Sequence, residues 1–214
     1  MSKPSAKPSS ARFRRRRFAG RSLRVLAIVA VAGLLVLCDR LGVFGRAPLP
    51  DEAKYHDQTF RVVKVIDGDT FDVDVPDGKY DTTRIRLWGV DTPEVHDPDN
   101  PDAPPDHFGP EAGEFAEELL DGKEVRLELV ASRTRGKYGR LLAYVYLPDG
   151  RMLNRLLIKR GYGYADPRFD HPRKEEFRKL QSEAMQAERG LWADVAQTDL
   201  PGYYRDRLEV PAGS

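Results

Sequence analysis

The sequence has almost no cysteine. Cys38 stands alone, so no intrachain disulfide can staple the fold and the cysteines give no information on redox compartment. The four histidines, His56, His96, His107 and His171, show no zinc-ligand spacing, and zinc is not expected. There is no Walker loop and no Ser-His-Asp constellation. A large net charge is also missing, with 35 Lys+Arg against 34 Asp+Glu. That balance hides an asymmetry. Residues 1–50 hold 11 of the basic residues and one acid, Asp39, which leaves 24 basic and 33 acidic residues in 51–214, a formal charge of −9. A generic polyanion binder carries a basic footprint, and this part of the chain does not. Contact with nucleic acid must come from locally placed Arg and Lys, helped by a cation.

Long apolar runs are equally scarce. The one candidate, Val25 to Cys38, is 14 residues without a charge. It follows a Ser-, Pro-, Lys- and Arg-rich stretch, 1–24, that is too polar to build a core and reads as a disordered cytoplasmic tail. A basic region before an apolar run is an export signature. A spanning helix needs ~20 apolar residues, so Leu41 to Phe44 would have to extend the run. Residues 25–44 are therefore expected to be a signal-anchor or a cleaved signal, with 45–57 as a linker. Because basic flanks stay in the cytoplasm, the folded part is expected outside, in the cell envelope. It would be tethered to the membrane through 25–44, or secreted if that segment is removed.

Downstream, Thr59 to Ile66 is β-rich and Asp67-Gly68 is a hairpin signal. Phe71, Val73 and Val75 alternate with Asp72 and Asp74, which predicts a strand with one buried face. A third strand is expected over Thr82 to Val90. Residues 95–108 form a loop dense in Pro and Asp, whose acids match no EF-hand spacing. A helix is predicted over Pro110 to Leu120, with Pro in its first turn. Alternation predicts strands near Val125 to Leu129 and Leu141 to Leu147. Helices follow over Met152 to Arg160, capped by Gly161, and over Arg173 to Glu188, with Trp192 packing nearby. The fold class is α+β, mainly β: a five-stranded barrel of the oligonucleotide/oligosaccharide-binding (OB) type with about three helices, spanning 58–194. Residues 195–214 are expected to be a tail.

The chemistry concentrates in Ile66-Asp67-Gly68-Asp69-Thr70 and Arg86 through Glu94, joined later by Lys137-Tyr138-Gly139-Arg140. In a meander, one strand's start lies beside the next strand's end, so Asp69 and Asp91 can meet at one rim. Two carboxylates there, with a backbone carbonyl near Thr92, suit a hard divalent cation. Glu94, beside that cation, can deprotonate a water. Arg86 and Arg140 offer planar forks matched to phosphate oxygens. Lys137 and Tyr138 can touch a terminal phosphate or a base.

These stretches, with Phe108-Gly109-Pro110-Glu111-Ala112 and Ser182-Glu183-Ala184, resemble the staphylococcal nuclease family from about Phe60 to Trp192. The resemblance implies an OB barrel and hydrolysis of DNA and/or RNA with one Ca2+, Mg2+ being a weaker alternative. Asp69, Asp91 and the Thr92 carbonyl would hold the ion. Glu94 would be the general base, and Arg86 and Arg140 would grip the phosphate as the 5′ oxygen leaves. Lys137 and Tyr138 match positions near a nucleotide phosphate. Pro167 and Phe169 stand where the family prototype has two substrate-packing tyrosines, so Phe169, Tyr162 or Tyr164 would stack on a base. No protein partner is implied, and a monomer is expected. Two other readings stand beside the nuclease: a non-catalytic nucleic-acid-binding module on the same barrel, and an envelope protein that binds calcium or acidic partners without hydrolysis. Retention of Asp69, Arg86, Asp91, Glu94 and Arg140 favours the enzyme.

Overall fold

Period-two alternation decides most of the architecture. In this computed structural model the described residues are 28–34, 37, 50–95, 100, 102–205 and 208. The chain divides into two units, Met1–Ala47 and Pro48–Ser214. In the first, residues 28–34 and 37 are helical. The basic tail expected at 1–24 and most of the apolar segment expected at 25–44 lie outside the described residues. Among the described residues no helix is long and apolar enough to cross a membrane.

The second unit is built on five strands: β1 (Gln58–Val65), β2 (Thr70–Val73), β3 (Thr83–Leu87), β5 (Glu124–Leu129) and β6 (Leu141–Tyr146). They close into a barrel in the order β1-β2-β3-β6-β5, with every pairing antiparallel except β3 with β6. This is the OB-type barrel expected from the sequence. Phe71, Val73, Ile85, Leu87, Val125, Leu127, Leu141, Ala143 and Val145 fill its interior. Closure leaves no free sheet edge, and burial of these side chains supplies the main driving force.

Three helices wrap the barrel, as expected: α2 (Gly109–Leu120), α3 (Leu153–Arg160) and α4 (Lys174–Gln186). Pro110 sits in the first turn of α2, where its missing N–H costs nothing. Gly161 caps α3 in the left-handed region at φ 75°. Fully buried Asn154 ties α3 to the barrel. Its side-chain carbonyl accepts the Val145 N–H (2.9 Å), and its amide donates to the carbonyls of Trp88 (3.1 Å) and Ala143 (3.3 Å).

Three expectations fail, each for a physical reason. The third strand does not run to Val90. The chain turns at Trp88-Gly89, and Val90–Asp91 forms a separate short strand, β4, paired antiparallel with β7 (Tyr164–Ala165). A strand of two residues has no period for a sequence to display. The linker is partly structured: Pro50–Tyr55 is a helix, α1, whose buried Tyr55 reaches the Thr83 hydroxyl at 3.1 Å. The C-terminal tail is also partly structured. Val195, Leu200 and Tyr204 are buried with Tyr164, Ala184, Leu191 and Trp192, and Gly202–Arg205 forms a last helix, α5.

Asn154→Ala removes three buried hydrogen bonds in one step and strands main-chain groups that water cannot reach. Urea unfolding is expected to show a loss of about 3 kcal/mol, at roughly 1–3 kcal/mol per orphaned group with partial relaxation.

Candidate active site

The rim of the barrel near the β1–β2 turn is shaped by close backbone approach. The Asp69 N–H donates to the Asp67 carboxylate at 2.9 Å, tightening the turn. A Cβ on Gly68 would come within 2.8 Å of the Thr92 side chain, so only glycine lets the two loops meet. On the far side, a Cβ on Gly109 would lie 2.4 Å from the Glu94 carbonyl oxygen. The segment Asp91 to Glu94 is thus pressed between the turn and the start of α2. Pairing of Asp91 with Tyr164 across the β4–β7 ribbon fixes its other edge.

Asp69 is buried, with one carboxylate oxygen 2.7 Å from Arg86 and accepting the Thr70 hydroxyl at 2.8 Å. Its other oxygen accepts the Thr92 N–H at 3.0 Å. The second guanidinium nitrogen of Arg86 donates to Asp91. Arg86 therefore bridges two carboxylates from loops 22 positions apart in sequence. Burial pulls its guanidinium down, but Asp69 and Asp91 outweigh that and hold it above its ordinary value. For Asp69 burial wins. Helped by the charges of Asp67, Asp91 and Glu94, and only partly offset by Arg86, it raises the carboxyl well above the usual range.

Glu94 is half-buried, and its carboxyl is pushed up to about 7. Burial is the largest cause, followed by the Asp67 charge, with Asp91 and Asp106 adding to it and Arg86 opposing. Its backbone is clamped at both ends by Asp106, which accepts the Glu94 N–H on its carboxylate (3.1 Å) and donates its own N–H to the Glu94 carbonyl (3.0 Å). At least one acid of the 95–108 loop thus holds structure. Residues 96–99 and 101 of that loop lie outside the described residues.

The remaining expected residues are spread around this centre. Arg140 stands just before β6, whose Leu142 pairs with Arg86. Its guanidinium lies 5.8 Å from the Tyr138 ring and makes no ion pair among the described residues. Lys137 and Tyr138 occupy an exposed turn, with the Lys137 ammonium 5.3 Å from the Tyr138 ring. Phe169 is not free on both faces. It stacks on Trp88, ring centroids 5.7 Å apart, and the Arg133 and Arg168 guanidiniums lie 5.0 and 5.7 Å from its ring. Neither tyrosine offered as a substitute is open. Tyr164 is buried in the core, and Tyr162 stacks at 4.0 Å on Phe115.

Three contributors escape a sequence reading. Arg168 places its guanidinium 3.0 Å from Asp91 and 2.7 Å from Asp166. Tyr203, on α5, donates its hydroxyl to the other oxygen of Asp91. Arg135 bonds Asp51 of α1 (2.6 Å), Asp77 (2.6 Å) and the Gly139 carbonyl (2.9 Å), pinning the turn that carries Lys137 to Arg140. For Arg168 the acid-rich D-P-R sequence was a signal. For Tyr203 there was none.

Does the site suit a metal? Among the described residues no three His, Cys, Asp or Glu side chains converge as a ready cage. The set expected from the sequence is smaller: two carboxylates and the Thr92 carbonyl. The charge balance fits a cation. The charges of Asp67 and Asp91 raise the carboxyls of both Asp69 and Glu94, against Arg86, and Arg168 pairs with Asp91. A hard cation would relieve that surplus.

An OB-type barrel bearing a guanidinium-bridged acid pair on its rim defines the class of protein. Comparison with known proteins makes this specific. The family model described as "Staphylococcal nuclease homologue" matches residues 84–194. The thermonuclease of Staphylococcus hyicus is 36% identical over 174 residues, covering 78% of this chain and 95% of that protein. The thermonuclease of Staphylococcus intermedius is 39% identical over 139 residues, 63% of this chain and 76% of its own length. An uncharacterized endonuclease of Escherichia coli is 34% identical over 135 residues, 63% of this chain and 77% of its own. The chain belongs to the staphylococcal nuclease family.

Glu94 also makes a testable contribution to stability in metal-free protein. Its folded value of about 7 exceeds the ordinary 4.5, so the folded state binds the proton more tightly. The contribution is full below the unfolded value and is lost as pH rises through the folded one. Denaturant melts with chelator present, between about pH 5 and pH 8, should show wild type losing more stability than Glu94→Gln over that range. Parallel pH profiles would refute the assignment.

Proposed function

We propose that this protein is a calcium-dependent nuclease that hydrolyses phosphodiester bonds of DNA and/or RNA outside the cytoplasm. The observation that carries the reading is the position of Glu94. It is a half-buried carboxyl raised to about 7, beside an arginine-bridged pair of carboxylates. The thermonucleases and the endonuclease to which the chain is similar support nucleic acid as substrate.

Asp69, Asp91 and the Thr92 carbonyl would hold the ion, which when bound would supply positive charge to the phosphate and favour ionisation of water. Glu94 takes the proton from the attacking water, and a base titrating near neutrality suits that task. The oxygen of that water bonds to phosphorus as the bond to the 5′ oxygen breaks; the leaving oxygen takes a proton from solvent, and Glu94 releases its own to solvent. Charge grows on the equatorial oxygens during attack, where fixed guanidiniums stabilise it more than they stabilise the ground state. Arg140 makes no ion pair among the described residues and is available for this. The fork of Arg86 is occupied by Asp69 and Asp91, so phosphate contact requires it to swing away from at least one of them. Lys137 and Tyr138, exposed beside Arg140, would meet a neighbouring phosphate or base. Phe169 has one face covered by Trp88 and two guanidiniums near its ring, which limits the surface it offers to a base. The basic 1–24 stretch followed by the apolar run at 25–38 supports export.

Similarity to two thermonucleases and an endonuclease favours hydrolysis over the binding-only alternative. The test is cleavage of single- and double-stranded DNA and RNA by the purified protein with calcium, magnesium or chelator. Wild type should cut with calcium and stall in chelator. Glu94→Gln should lose ~10²–10⁴-fold in rate with circular dichroism unchanged, and Arg86→Ala ~10²–10³-fold, with some loss of stability because Asp69 is left without its ion-pair partner. A Glu94→Gln protein as fast as wild type would remove the base from the mechanism.

A further inference from the structure

The C-terminal segment, expected from sequence to be a tail, reaches into the site. Tyr203 stands 112 positions from Asp91 and donates its hydroxyl to an Asp91 oxygen. The other oxygen of Asp91 receives Arg86 and Arg168. Arg168 is itself flanked by the Tyr203 ring at 4.2 Å and anchored by Asp166, whose carboxylate accepts from both its Nε (2.8 Å) and a terminal nitrogen (2.7 Å). Tyr203 does not dangle. Its ring lies 5.0 Å from that of Tyr204, which is buried among Tyr164, Trp192 and Leu200 and donates its hydroxyl to the Ala165 carbonyl. Ala165 belongs to β7, the strand paired with β4, which carries Asp91. The same ribbon that presents Asp91 thus also anchors the helix that presents Tyr203.

We propose that Tyr203 is a positioning residue for the ion site. Its hydroxyl holds the Asp91 carboxylate in the orientation in which Asp91, with Asp69 and the Thr92 carbonyl, receives a divalent cation. The inference rests on the proposed reading of Asp91 as a cation ligand and extends it to the C-terminal helix. A carboxylate can turn about its side-chain bonds. Three donors from three separate elements remove that freedom before an ion arrives, so less ordering is left to be done on binding. Groups that orient a metal ligand typically change metal affinity ~10–100-fold when removed. Arg168 contributes on the other oxygen and also neutralises part of the local negative charge. Tyr203 is neutral, so its removal isolates orientation from charge.

The test is calorimetric titration of full-length protein with calcium alone, without nucleic acid, for wild type and Tyr203→Phe. The variant keeps the ring, its packing on Tyr204 and its contact with Arg168. The expected result is a Kd for calcium raised about 10-fold, while the melting temperature in chelator stays at the wild-type value. A lowered melting temperature in chelator that accounts for the weaker binding would reduce Tyr203 to a structural residue and overturn the proposal. Equal affinities for calcium, or tighter binding by the variant, would overturn it as well, the latter marking Tyr203 as a competitor of the ion. A wild-type protein that binds no calcium would instead bring down the underlying reading of Asp69 and Asp91, and the proposal with it.

Discussion

One guanidinium between two carboxylates organises this rim. Arg86 sits on β3, next in the sheet to β2, whose first residue follows Asp69, and five positions ahead of Asp91 across the Trp88-Gly89 turn. Taking an isolated carboxylate out of water costs several kcal/mol even after relaxation. Asp69 is buried because Arg86, the Thr70 hydroxyl and the Thr92 N–H are all directed at it. The arrangement is under-compensated: more acid surrounds Arg86 than its single charge can balance, and the protons are held correspondingly tightly. An added positive charge would relieve that surplus, which is the ground for proposing a cation there.

Around that pair the barrel supplies rigidity and the loops supply reach. The β4–β7 ribbon sets Asp91, the Asp106 clamp sets Glu94, and the tight approach of Gly68 and Gly109 presses the connecting segment into place. The ribbon and the Asp106 clamp hold Asp91 and Glu94 by their main chain, leaving their carboxylates to other partners. Lys137 and Tyr138 lie exposed on a turn that Arg135 pins.

The barrel was legible because Phe71, Val73, Val125, Leu127 and Leu129 alternate with polar neighbours, and a period of two has one structural meaning. The meeting of Asp69 with Asp91 was legible because a meander places strand ends side by side. What stayed hidden depended on tertiary contact. The β4–β7 ribbon is too short for periodicity. Tyr164 and Phe169 look like surface aromatics in a loop sequence, and only packing against Trp192 and Trp88 reveals them as partly or wholly interior. Arg168 and Tyr203 reach Asp91 from 77 and 112 positions away, beyond what local pattern encodes. The docked C-terminal helix was missed because Leu200 and the Tyr203-Tyr204 pair are too few to form a stripe.

Arg135 draws the N-terminal boundary of the folded unit further back than the first strand. Its fork joins Asp51, on α1, to Asp77 and to the main chain at Gly139, one residue before Arg140. The folded unit therefore begins no later than Asp51: a chain lacking that residue would keep the barrel's strands but lose one of the two acids that hold Arg135, and with it part of the tie on the turn bearing Lys137 to Arg140.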